Sequence, residues 1–204
     1  MASQDHVQQR GRVAVSVSSP AVYRPQLKGP ARPTFRSNVV RDLASILDLN
    51  QSVQSWTCGS AVLNVGRTKH IPDFQMKDVD GGLWLLDAFD RKLPKEFVTI
   101  AEAADASSQR YRVVDRSEIY DGYRLKNAND LLRYAGHKVP LGDRVRLLSA
   151  LDEHGPLPLT DCLRAVRESQ PIAAVASLIL QGFLDVELDE APIAPETMVR
   201  RIRG

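Results

Sequence analysis

Two aspartates stand where they could share one chemical task. Asp73 lies in "HIPDF" ahead of an alternating run, and Asp87 lies in "LLDAF" at the end of the next run. Asp80-Gly81-Gly82 between the runs is a strong turn signal, so the two segments read as neighbouring strands of a hairpin. Asp87 stands between Leu86 and Ala88, and an acid in an apolar strand is costly to bury without a partner. Two carboxylates brought side by side can share a divalent metal. Asp73, which follows Pro72, also fits a plainer role as a strand-entry residue that accepts a turn hydrogen bond. His70 reads as a half-exposed strand residue, Trp56 and Trp84 as core, and Cys58 as a small buried hydrophobe.

The elements that would position these acids follow from periodicity. "SNVVRDLASILDLNQSV" begins at Ser37 or Asn38 as helix N-cap, and Val39, Val40, Leu43, Ile46 and Leu47 repeat along one face. "VQSWTCGSAVLNVG" alternates as a strand and continues into a hairpin. After the hairpin that carries both acids, "KEFVTIAEAADASSQ" is helical beyond Pro94, and "YRVVDRSEIYDG" gives a short strand with Val113 and Val114 buried. The order is helix, three strands, helix, strand.

The following segment changes character. "LKNANDLLRYAG" reads as a helix ending at Gly136. "GDRVRLLSALDEHG" reads as a helix capped by Asp143 and stopped by Gly155, and "TDCLRAVRES" as one capped by Thr160. "PIAAVASLILQG" has Pro171 in its first turn and Gly182 closing it. "FLDVELDE" reads as a strand. Three short helices followed by a strand hairpin is the winged-helix order.

Composition narrows the classes. Of 204 residues, 43% are hydrophobic and 25% charged, as in ordinary globular chains. No apolar run approaches the roughly 20 residues that span a bilayer, so no membrane partner is expected. The N-terminal residues lack a signal-peptide core, and Cys58 and Cys162 match no zinc spacing; a cytoplasmic protein without structural disulfides is expected. Net charge is +2 but uneven. Residues 1–36 carry six basic side chains (Arg10, Arg12, Arg24, Lys28, Arg32, Arg36) against Asp5. That Pro-containing arm reads as extended or disordered and fits a DNA phosphate backbone, or else a solubilising tail. The expected organisation is an arm over 1–36, an α/β domain over 37–123, a winged-helix-like domain over 124–190 and a basic tail over 191–204.

Across roughly residues 37–190 the chain resembles the TnsA-type endonucleases, DNA-cutting subunits of heteromeric transposases. The resemblance rests on "SNVVRDLASILDLNQSVQSW", "HIPDF", "LLDAF" and "LKNANDLLRYAG" in that order. It implies an α/β fold with a restriction-endonuclease-like central mixed sheet flanked by helices, followed by a small winged-helix-like domain. It also implies DNA, a transposase and an AAA+ ATPase as partners, and magnesium as the cofactor of cutting. In that family magnesium activates water and stabilises the leaving oxygen beside the scissile phosphate. Its carboxylates fall here on Asp73 and Asp87.

The other two members of the family's site are missing. The lysine position is Phe89, and the helix glutamate position is Val40. Asp42 points roughly 200° away from Val40 on a helix and is a poor stand-in. Lys77, on the same strand face as Asp73, and Lys92, beyond the second strand, are the candidate substitutes for the lysine. The helix in the DNA-reading position, residues 171–181, carries only Ser177 and Gln181 as polar side chains, so it is expected to be buried or to face a protein. Arg164 and Arg167 on the preceding helix are left to reach phosphate. Three readings result: a TnsA-like DNA-binding subunit with lost or reduced cutting, an active magnesium-dependent endonuclease with a migrated lysine, or a non-enzymatic winged-helix adaptor or regulator.

Overall fold

A computed structural model describes residues 26–93 and 97–203. Arg10, Arg12 and Arg24 of the arm lie outside the described residues.

Helix α1 (Asn38–Leu49) starts where Ser37 Oγ accepts the backbone N–H of Val40. This satisfies one of the N–H groups that a helix start leaves without a partner. Its apolar face buries Val40, Leu43, Ile46 and Leu47. Strands β1 (Val53–Cys58), β4 (Phe74–Asp78), β5 (Leu83–Ala88) and β6 (Arg110–Val114) form a sheet in the order β1-β4-β5-β6. β4 pairs antiparallel with both β1 and β5, and β5 pairs with β6 in parallel. A parallel pair needs a crossover, which α2 (Phe97–Asp105) supplies. The molecule is therefore mixed α/β with a mixed sheet.

Strands β2 (Leu63–Val65) and β3 (Thr68–His70) form a small separate hairpin between β1 and β4. Trp56 and Phe74 meet edge to face at 5.3 Å in the core between the sheet and α1. Residues 26–30 run beside β1. Lys28 O accepts from Trp56 N, and the N–H groups of Leu27 and Lys28 donate to Asp48. Gly29 touches the Trp56 ring so closely that a Cβ would collide with it. Trp56 Nε1 also donates to Asp48 Oδ1 at 2.7 Å.

Two short helices follow the sheet, α3 (Arg116–Tyr120) and α4 (Arg124–Leu131), the latter ending in a 3-10 turn over Leu132–Tyr134. The second half comprises α5 (Leu141–His154), β7 (Leu157–Pro158), α6 (Leu159–Ala165), α7 (Pro171–Leu180), β8 (Leu184–Val186) and β9 (Met198–Arg201). Its sheet order is β7-β9-β8, all antiparallel. Helix α4 packs on both α1 and α7. Buried Asn127 fastens it to the β8–β9 loop: its Nδ2 donates to Leu188 O and Ala191 O, and its Oδ1 accepts from Ile193 N. Tyr123 N donates to Asp189 O, and Arg124 pairs with the Asp189 carboxylate.

Several local expectations change. Pro140 and Pro158, not Asp143 and Thr160, precede α5 and α6 as caps. Asp143 lies in the first turn of α5 and accepts N–H groups from Arg167 and Glu168 instead. The stretch read as a basic tail contains β9, the central strand of the second sheet. Its Val199 is fully buried, and one inward-facing residue in a four-residue strand gives little periodic signal. Val113 is only partly buried, and Cys58 is half-buried.

Candidate functional site

Asp73 and Asp87 are brought together where β4 begins and β5 ends. The register that pairs Phe74 with Leu86 places them side by side. Asp73 N donates to Asp87 Oδ1 at 3.0 Å, and both carboxylates are buried. A buried carboxylate needs donors, and here the protein supplies them all. Asp73 Oδ1 accepts from Arg36 Nε at 2.7 Å and Arg91 Nη1 at 2.6 Å. Asp73 Oδ2 accepts from Arg36 Nη2 at 2.8 Å and Ala88 N at 3.0 Å. Asp87 Oδ2 takes His70 Nε2 at 2.6 Å and Tyr111 OH at 2.7 Å. Arg91 Nε approaches Asp87 Oδ1 at 3.4 Å.

An ionised carboxylate has about four lone-pair positions. Asp73 therefore has all four positions taken by protein donors, and Asp87 has three taken, with Arg91 beside its Oδ1. Arg36 also bridges outward to Asp90, with Nη2 2.7 Å from Oδ1 and Nη1 3.0 Å from Oδ2. The hydrogen bond to Asp73 raises the affinity of Arg36 for its proton further, so it is a permanent cation. Burial, and then the bond to Asp87, push the Tyr111 hydroxyl well above its ordinary range, so it stays a donor. Magnesium would have to displace two guanidiniums to reach these oxygens. The residues present do not fit that ion in this arrangement. Among the described residues no cluster of three or more His, Cys, Asp or Glu is disposed to hold a metal.

Val40 is buried in the core between α1 and the sheet, and Phe89 packs against that core. Both side chains thus fill space with hydrocarbon. Lys77 is exposed and pairs across from Leu83, four residues along β4 from Asp73, or about 13 Å at the rise of a strand. It is not brought up to the two acids. Lys92 is exposed, and it is the preceding residue, Arg91, that reaches both acids.

Sequence reasoning missed Arg36, Arg91, His70 and Tyr111 as members of this cluster. Arg36 was grouped with the arm, and Tyr111 is joined to Asp87 only through parallel pairing across the α2 crossover. Arg91, four residues after Asp87, was the one legible signal. Of the other described arm cations, Lys28 Nζ donates to Asn50 O at 2.6 Å, and Arg32 is exposed. In the second half, Ala173–Leu178 of α7 are buried, as expected for a helix without basic residues. Ser177 Oγ donates to His137 O, and Gln181 Nε2 donates to Ser177 Oγ. Arg164 pairs with Asp161 at 2.9 Å. The Cys58 thiol is pushed up to about 11 by burial and the charge of Asp73, so it is a poor nucleophile. No helix among the described residues is long and apolar enough to cross a membrane. No protein-family model matches the chain, and no curated protein matches it significantly.

Proposed function

We propose that this chain is a TnsA-like DNA-binding subunit of a heteromeric transposase-type machine whose cutting chemistry is lost or reduced. The observation that carries this reading is the engagement of Asp73 and Asp87 by Arg36, Arg91, His70, Tyr111 and backbone N–H groups. The paired-acid geometry of a metal-dependent nuclease remains while its oxygens are spent internally. The order α1-β1-β4-β5-α2-β6, with β5 and β6 parallel, supports a restriction-endonuclease-like core. The order α5-β7-α6-α7-β8-β9 supports a winged-helix unit. A transposase and an AAA+ ATPase are the partners that this reading implies.

The adaptor reading draws on one observation of its own. Ala173–Leu178 of helix α7, in the position of a groove reader, are buried, and Ser177 donates to His137 O within the fold. Contact with DNA, on the preferred reading, therefore runs through other surfaces.

Plasmid nicking and duplex binding, measured with the same preparation, test the proposal. The expected result is salt-dependent duplex binding with no linearisation in magnesium or manganese. Cutting that is abolished by Asp73→Ala would replace this reading with that of an active magnesium-dependent endonuclease. Absence of duplex binding at low salt would leave the adaptor.

A further inference from the structure

Phe89, at the position of the absent lysine, carries an arginine on its face. Phe89 and Tyr120 meet edge to face with ring centroids 6.1 Å apart. The guanidinium of Arg116 lies over both rings, 5.7 Å from the Phe89 centroid and 5.2 Å from that of Tyr120. Cation–π attraction holds a guanidinium over a ring without using up its N–H groups.

Arg116 is exposed and forms no ion pair among the described residues. The acids around it have other partners. Asp42 accepts from Tyr120 OH at 3.0 Å, Asp90 is held by Arg36, and Glu118 pairs with Arg112 at 2.8 Å. Two further exposed cations lie on adjoining parts of the chain. Arg41 follows Val40 on α1, which packs on β5 and α3, and Lys92 lies three residues beyond Phe89. Both are exposed and without an ion pair among the described residues.

We propose that Arg116, seated on Phe89 and Tyr120, receives a phosphate of a nucleic-acid backbone. The inference rests on the DNA-binding reading and names the surface that would carry it. A guanidinium fork matches two phosphate oxygens at once, whereas a lysine offers only a point charge. Arg116 is then a binding residue, and Phe89 and Tyr120 are positioning residues.

The test is fluorescence anisotropy of a short labelled duplex with the full chain across a salt series. Arg116→Ala is expected to lower the slope of log affinity against log salt by about 0.9, the contribution of one duplex phosphate. Arg116→Lys is expected to keep that slope, and so is Lys77→Ala, which removes a cation far along β4. Circular dichroism confirms that each variant is folded. Duplex binding with an unchanged slope in Arg116→Ala would overturn the inference and leave the DNA-binding reading intact. An equal loss of slope in Lys77→Ala would also overturn it, because the effect would then be one of overall charge. No duplex binding by the wild type would overturn both. Polyglutamate binding as tight as duplex binding, and lost in Arg116→Ala, would mark the surface as one for acidic peptides and overturn the inference as well.

Discussion

Asp143 in the second half and Asp73 in the first are both buried carboxylates, and they are satisfied by different kinds of donor. Asp143 Oδ1 accepts from Arg167 N at 2.8 Å, Glu168 N at 3.0 Å and Arg146 Nη2 at 2.6 Å, and its Oδ2 accepts from Ser169 Oγ at 2.8 Å. Two of those donors are backbone, in the loop between α6 and α7. They cannot leave without unfolding that loop. Asp73 relies mainly on two long side chains, Arg36 and Arg91, which are 32% and 22% exposed. Those donors can turn to water. A carboxylate bound by backbone is a fixed joint of the fold, whereas one bound by arginines is a clasp that can open.

Replacing each acid measures the difference. Asp143→Ala is expected to cost about 4 kcal/mol in urea unfolding, because it leaves two N–H groups and a hydroxyl without partners in a closed loop. Asp73→Ala is expected to cost only about 2 kcal/mol, since Arg36 and Arg91 regain water. Equal costs would remove the distinction between joint and clasp.

The acid limb of stability sharpens the same contrast. Burial opposes the charge of Asp143, yet the Arg167 N–H, Arg146, Ser169 and the Glu168 N–H together hold its carboxyl well below the usual range. A folded-state value below the unfolded one adds stability that is present above the unfolded value and is lost as pH falls through the folded one. The melting temperature should therefore fall as pH drops below about 4, and less steeply in Asp143→Asn. Identical profiles for the two proteins would show that Asp143 is not the group responsible.

The smallest effect concerns the clasp itself. Arg36 and Arg91 meet on the same oxygen of Asp73. A double-mutant cycle of Arg36→Ala and Arg91→Ala should show coupling of about 1 kcal/mol. Strict additivity would mean that the two guanidiniums act independently. Arg36→Lys should not restore the loss, since an ammonium cannot fork onto Asp73 and Asp90 together.

The elements were legible wherever one period dominated. The apolar face of α1, the turn between β4 and β5, and α7 with Pro171 at its start all followed from local pattern. Asp73 and Asp87 were legible as a pair because a tight turn fixes register. Their partners were not. Arg36 bonds across 37 positions and Tyr111 across 24, and a single sequence carries no signal at those separations. The caps of α5 and α6 were misread for a related reason. Asp143 looks like an N-cap locally, but its oxygens are claimed by a loop 24 residues later. β9 was hidden because its arginines face outward and only Val199 marks the inner side.

Asn127 bears on how the chain is made as well as on how it is held. Its three hydrogen bonds reach 61, 64 and 66 residues ahead. At ribosomal speeds of roughly 5–20 residues per second, α4 waits on the order of 3–13 s for the loop that completes it. During that interval the buried amide has only water for a partner. The first half of the chain can therefore gather its sheet early, but the seam with the second half closes only after β8 and the loop beyond it have left the exit tunnel. Closure of so distant a contact comes late in folding.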